Sequence, residues 1–212
     1  EDVREAQGIN SRIDLAQAQK IMRQRILENF MASGVSIIDP DTTYIEAGCK
    51  IGQDTVIYPF TVIEKDVIIE KFCSIGPFCH LRPGTRIEDK AVIGNFTEIV
   101  RSRVGQDTLM KHFSYLGDAV VGRAVNIGCG TVSANFDGKN KQKTIIGEGA
   151  FIGSDTILRA PVKIGKKAVT GAGSVIIKDV LAGEVVAGVP ARPFNKIKQN
   201  TQTTNNQITN HK

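Results

Sequence analysis

Side chains able to move a proton or attack a carbon near neutral pH are scarce in this 212-residue chain. There are three histidines, His80, His112 and His211, and four cysteines, Cys49, Cys73, Cys79 and Cys129. An imidazole has a reference pKa of about 6.5, which suits a general base that deprotonates an amine nucleophile. His80 falls in a loop-like stretch and reads as structural or surface, and His211 lies in a polar tail. The cysteines form no C-x-x-C pair and are too sparse for a disulfide scaffold. We therefore expect a reduced, cytoplasmic protein without a thiolate metal site. A zinc site of the three-histidine kind is not expected either, because only two histidines fall outside the tail.

Composition narrows the partners. The net charge of +5 suits an anionic ligand such as a phosphate, and equally a plain solvated basic surface. No run of Lys and Arg is interleaved with aromatics, so nucleic acid is not an expected partner. No stretch approaches the ~20 apolar residues of a membrane helix. The charged start, Glu1-Asp2-Val3-Arg4, does not read as a signal peptide. It also lacks an initiating Met, as expected for a piece of a longer protein. Apolar residues make up 41%, aromatics only 6%, and Trp is absent, which points to a narrow aliphatic core.

The elements that must position these side chains announce themselves by period. Aliphatics recur at every sixth place: Ile45, Ile51, Ile57, Ile63, Ile69, Ile75, Leu81, Ile87, Ile93 and Ile99. Four places later stands a small or β-branched residue, including Cys49, Thr55, Thr61, Cys73, Cys79, Thr85 and Thr97. The pattern slips by one to Val104, Met110 and Leu116, and again to Val121 and Ile127. It returns at Ile146, Ile152, Leu158, Ile164, Thr170 and Ile176. A period of six fits neither a helix nor a lone strand, but it fits a β-solenoid whose rungs stack their aliphatics in one column. Cys49, Cys73 and Cys79 then read as small buried corner residues.

Residues 1–11 read as a linker and residues 12–34 as a helix. Ser11 caps it, Asp14 sits in its first turn, an apolar stripe runs from Ile13 to Met31, and Gly34 ends it. Residues 40–180 read as the solenoid domain. Residues 134–145 break the repeat with a polar, lysine-rich excursion, the kind of place where function gathers. Residues 181–195 leave the solenoid through Gly188-Val189-Pro190-Ala191. Residues 196–212, rich in Asn, Gln and Thr, read as a disordered tail.

The period and the Gly188-Val189-Pro190-Ala191 ending resemble the left-handed β-helix acyltransferases. Several segments point more narrowly: His80-Leu81-Arg82-Pro83-Gly84, Gly94-Asn95-Phe96-Thr97-Glu98, His112-Phe113-Ser114-Tyr115-Leu116-Gly117-Asp118, Asn126-Ile127-Gly128-Cys129-Gly130-Thr131, Asn135-Phe136-Asp137-Gly138 and Ile152-Gly153-Ser154-Asp155-Thr156. Together they are similar to the C-terminal half of the bacterial bifunctional N-acetylglucosamine-1-phosphate uridyltransferase/glucosamine-1-phosphate acetyltransferases. The resemblance implies an all-β solenoid, a left-handed parallel β-helix of hexapeptide repeats behind an N-terminal α-helix. It implies a homotrimer with sites between neighbouring solenoids, acetyl-CoA as co-substrate, and a nucleotidyltransferase domain upstream. Its product would feed UDP-N-acetylglucosamine and cell-wall synthesis. No Gly-rich nucleotide loop occurs here, so no uridyltransferase activity is expected of this chain, and no metal.

The same resemblance assigns roles. His112 matches the catalytic base, Glu98 a residue near that base, and the backbone N–H of Cys129 an oxyanion contact. Arg82 matches the phosphate-binding arginine; Tyr115, Asn126 and Lys141 match further acceptor contacts. Asn135, Phe136, Ser154 and Ala172 match acetyl-CoA contacts, with Arg192 standing in for a CoA-contacting arginine displaced near Gly188. Two departures matter. A second phosphate-binding lysine is here Val100, and the residue before His112 is Lys111. Lys111 and Arg101 are the nearby candidates to restore the charge, neither at the same site. The competing readings are a different amino-sugar acceptor, including a nucleotide-linked one, and a non-catalytic trimerisation scaffold.

Overall fold

A computed structural model describes residues 8–194 of the chain. The tail from 196 onward, His211 and most of the N-terminal linker lie outside the described residues. One helix, Arg12–Ala32, is followed by a stack of short strands.

The helix starts at a capping box. The Ser11 hydroxyl accepts from the Asp14 N–H, and the Asp14 carboxylate accepts from the Ser11 N–H. Its apolar stripe is mostly not covered by this chain: only Leu27 is buried, while Ile13, Met22 and Met31 are exposed. The last turns touch the first rungs, and Arg23 lies over the Tyr44 ring at 4.3 Å.

The strands form three parallel sheets of ten, eight and seven strands that run along the faces of a prism. The first sheet runs from Ser36–Ile37, the second from Tyr44–Ile45 and the third from Lys50–Ile51. Each strand pairs with its equivalent one coil on, so that Ile51 lies over Ile69 and Ile69 over Ile87, 18 residues apart. The inward residues build one continuous aliphatic core from Ile37 to Val186. No Phe or Tyr among the described residues is one of its buried members, although Phe30 of the helix packs against it.

Departures from 18 residues explain the slips in period. The first coil is longer, pairing Ile37 with Ile57. The coils around residue 100 are one shorter, pairing Ile93 with Met110 and Ile99 with Leu116. Ser102 accommodates the short corner by donating its hydroxyl to Val100 O and accepting from Ala119 N–H. The excursion then widens the spacing, pairing Ile127 with Ile152. At the end, Val185–Gly188 and Ala191–Pro193 form an antiparallel hairpin on the first sheet.

The corners do not depend on glycine alone. The left-handed backbone conformation falls on non-glycine residues such as Asp54, Phe60, Phe78, Phe96, Asp107 and Asp155. Small side chains tie each corner to the next rung instead: Thr55 Oγ1 donates to Glu70 O at 2.8 Å, and the Cys73 and Cys79 thiols donate to Glu88 O and Gly94 O. Burial pushes the Cys49, Cys73 and Cys79 thiols up to about 11. Glycine after the aliphatic serves close approach. A Cβ on Gly94 would collide with the Lys111 backbone of the next rung.

Candidate functional site

Two groups of the expected site residues come together, on adjoining parts of the same surface. The first lies on the edge between the first and second sheets. Because Met110 pairs with Ile127, and Ile127 with Ile152, His112, Cys129 and Ser154 occupy equivalent places on successive rungs. The Ile152–Thr170 pair carries the series on to Ala172. Rung-to-rung hydrogen bonds fix the spacing: Gly130 N to Phe113 O at 2.8 Å, Asp155 N to Cys129 O at 2.6 Å and Gly173 N to Ser154 O at 2.8 Å. A depression of about 320 Å³ is lined by Lys111, His112, Asn126, Ile127, Gly128, Cys129 and Ser154.

His112 is exposed on this edge and makes no hydrogen bond among the described residues. Its ring is thus turned away from the core. The Cys129 N–H also has no acceptor among the described residues, which leaves a backbone donor beside the imidazole. Asn126, on the outer face of the first sheet, borders the same depression.

The second group lies on the outer face and far edge of the second sheet. Glu98 is the register partner of both His80 and Tyr115. Arg82 Nη1 donates to Glu98 Oε1 at 2.8 Å, so the side-chain partner of Glu98 within this chain is Arg82 and not His112. The Arg101 guanidinium forks onto Asp118, and Asn135 Nδ2 donates to the same carboxylate at 2.5 Å. The Arg101 fork, then the Asn135 amide, hold the Asp118 carboxyl below the ordinary carboxylate range. Asn135 is buried, and the Tyr115 hydroxyl and Asn135 amide both lie against Gly117, where a Cβ would collide with them.

Lys141 stands over the Phe136 ring, its Nζ 4.5 Å from the centroid, across an antiparallel bridge that closes the excursion. Asp137 knots the loop by accepting from the Lys139 and Asn140 backbone N–H groups and the Gln142 amide. Those donors bring its carboxyl down to about 2.

Two expectations come out differently in detail. Arg101 does not stand free for an anion, because Asp118 takes its fork. Val100, one rung on from Arg82, is 2% exposed, so that position offers no cation to an anion. Arg192 sits on the terminal hairpin, exposed, away from the His112 depression.

Sequence reasoning passed over two features here. Asp118 organises Arg101 and Asn135, yet an aspartate after Gly117 reads as a turn residue. The exposed rings of Phe60, Phe78 and Phe96 stack at 4.8 and 5.0 Å along the edge that leads to His112. Their recurrence every 18 residues was a visible signal.

Comparison with known proteins agrees with this geometry. The bacterial transferase hexapeptide model (six repeats) matches residues 66–101 and 143–178. The Bifunctional protein GlmU of Thermosipho africanus (strain TCF52B) is 45% identical over 213 aligned positions, covering 85% of this chain and 47% of that protein. That of Desulfitobacterium hafniense (strain DSM 10664 / DCB-2) is 45% identical over 215, covering 86% and 48%. The chain thus spans about half the length of the curated relatives it matches. Among solved structures, LpxA, a UDP-N-acetylglucosamine acyltransferase from Bacteroides fragilis 9343, shares the fold. Its TM-score is 0.54, with 20% identity, over 74% of this chain and 73% of that one.

Proposed function

We infer from this correspondence that the chain is the hexapeptide-repeat half of a GlmU-type protein and that it transfers an acetyl group from acetyl-CoA to the amine of glucosamine 1-phosphate. The observation that carries the reading is the edge series His112, Cys129, Ser154 and Ala172, with Asn126 beside it. The His112 imidazole takes the proton from the amine as nitrogen attacks the thioester carbonyl. The Cys129 N–H donates to the oxygen as it gains charge, and the thiolate of CoA leaves. Arg82 binds the acceptor phosphate, with Tyr115, Asn126 and Lys141 on the sugar. Glu98 anchors Arg82 and so acts on the acceptor. Asn135, Phe136, Ser154 and Ala172 form the donor groove, and Arg192, in the segment 181–195, extends it.

His112 and Glu98 share no contact within one chain, and the Phe60–Phe78–Phe96 stack leaves apolar rings exposed beside them. Both features support a homotrimer in which a neighbouring copy covers the ring stack and completes each site. The remaining half of the relatives' length supports a nucleotidyltransferase domain joined through the helix. The buried Val100 and the occupied Arg101 favour a second reading of the acceptor, in which each phosphate carries a single charge, as in the diphosphate of a nucleotide-linked amino sugar.

Release of CoA thiol with glucosamine 1-phosphate, and with a panel of other amino sugars, tests the proposal. Release with glucosamine 1-phosphate alone supports it. Release with only a nucleotide-linked amino sugar moves the reading to that acceptor. No release with any member defeats the catalytic reading.

A further inference from the structure

The outer face of the second sheet holds a chain of polar contacts of which acetyl transfer uses only one end. His80 lies between Val62 and Glu98 in register. His80 Nε2 is 2.6 Å from Glu64 Oε1. The same oxygen is 3.9 Å from Arg82 Nε, while Arg82 Nη1 donates to Glu98 at 2.8 Å. Arg82 Nε is buried and has no hydrogen-bond acceptor, and Nη2 has no partner among the described residues.

A carboxylate this close to a guanidinium ordinarily closes on it as a two-point fork with N–O distances of about 2.7–2.9 Å. Glu64 does not, although it stands beside an Nε–H that lacks an acceptor. The oxygen it would use is already held by the His80 ring from the other side. The result is an arginine anchored at one nitrogen by Glu98, with Nη2 left open.

We propose that His80 is a positioning residue for Arg82. By holding the Glu64 carboxylate it stops Glu64 from closing over the guanidinium, and so keeps Nη2 available to the acceptor's phosphate. Neither His80 nor Glu64 touches the acceptor. The identity of the anion, and only that, rests on the acetyl-transfer reading. Loss of the His80 ring lets Glu64 swing onto Arg82 and compete with the ligand. Removing the charge of Glu64 as well takes the competitor away.

The test compares the intact chain with His80→Leu, His80→Gln and His80→Leu combined with Glu64→Gln. Binding of glucosamine 1-phosphate and of inorganic phosphate is measured by calorimetry, and CoA thiol release is measured in parallel. His80→Leu weakens acceptor binding about fivefold to tenfold, with the KM for acetyl-CoA unchanged. His80→Gln keeps an N–H donor for Glu64 and stays within about twofold. The double substitution recovers the original affinity. A residue that merely packs would not be rescued by a change at Glu64. Unchanged affinity in His80→Leu, or a loss that Glu64→Gln fails to reverse, overturns the proposal. So does an intact chain that binds neither glucosamine 1-phosphate nor phosphate. If the predicted binding pattern appears without any thiol release, the positioning role stands and acetyl transfer falls.

Discussion

Asp118 takes both nitrogens of the Arg101 fork, Nε at 2.7 Å and Nη2 at 2.8 Å, while its second oxygen also receives the Asn135 amide. One carboxylate therefore neutralises the cation nearest Val100 and fixes a buried amide on the neighbouring rung. Asp118→Asn removes the charge and one of the two acceptor oxygens, and so weakens both contacts. We expect a loss of about 1 kcal/mol in stability, modest because the Arg101 side chain is half exposed. Asp118 has a lowered carboxyl pKa, so its contribution is full above the ordinary carboxylate range and fades as pH falls through the depressed value. The thermal midpoints of the two proteins, compared across pH, should differ near neutrality and converge in strong acid.

His112→Ala is expected to reduce kcat/KM by about 100- to 10,000-fold. The ring is exposed and unbonded within the chain, so the melting temperature should hardly move. Turnover and thermal denaturation of the same preparation check this, and a variant retaining full turnover removes His112 from the reaction.

Gly117→Ala drives a methyl group into the Tyr115 hydroxyl and the Asn135 amide. Overpacking of this kind costs about 1–3 kcal/mol. Acceptor KM should rise together with a fall in melting temperature, and the additional change Tyr115→Phe should recover part of the stability.

Alkylation should sort the four thiols. Cys49, Cys73 and Cys79 donate to carbonyl oxygens and are pushed up to about 11, so little thiolate exists at pH 8. Cys129 borders the open depression beside His112. Iodoacetamide followed by peptide mass mapping should find Cys129 modified first, and bound CoA should slow that reaction.

The excursion should keep its knot in mild acid. Asp137 is brought to about 2 by its N–H donors, so its contribution is complete above about pH 4 and lost only as pH falls toward 2. Proteolysis of the loop should be unchanged between pH 7 and 5, and Asp137→Ala should make it faster throughout.

How legible was all this beforehand? The aliphatic column could be read residue by residue, because one inward side chain per face gives a period of six, which neither a helix nor a lone strand produces. Ser36–Ile37 escaped because the first coil is longer, which puts Ile37 out of step with Ile45 and its successors. The corner conformations were hidden for another reason. Stacking forces Asp54, Phe78 and Asp107 into a backbone region their side chains do not advertise. Within the site, the edge series followed from counting rungs, whereas Arg82–Glu98 and Arg101–Asp118 depend on where long side chains bend, which spacing does not encode. The helix stripe misled in the opposite sense. Its apolar residues are real, but this chain alone buries only Leu27.

Rung pairing along the His112 edge has a last consequence. Strand spacing of about 4.8 Å turns the edge into a ruler, with His112 and Ala172 separated by roughly 14 Å, three divisions of the scale. A ligand laid along it is measured in whole turns of the chain, and no side-chain change can alter the length of a division. Donors of different reach would be selected by adding or deleting a complete coil between Cys129 and Ala172. Evolution, or an engineer, can lengthen this binding groove only in steps of one rung.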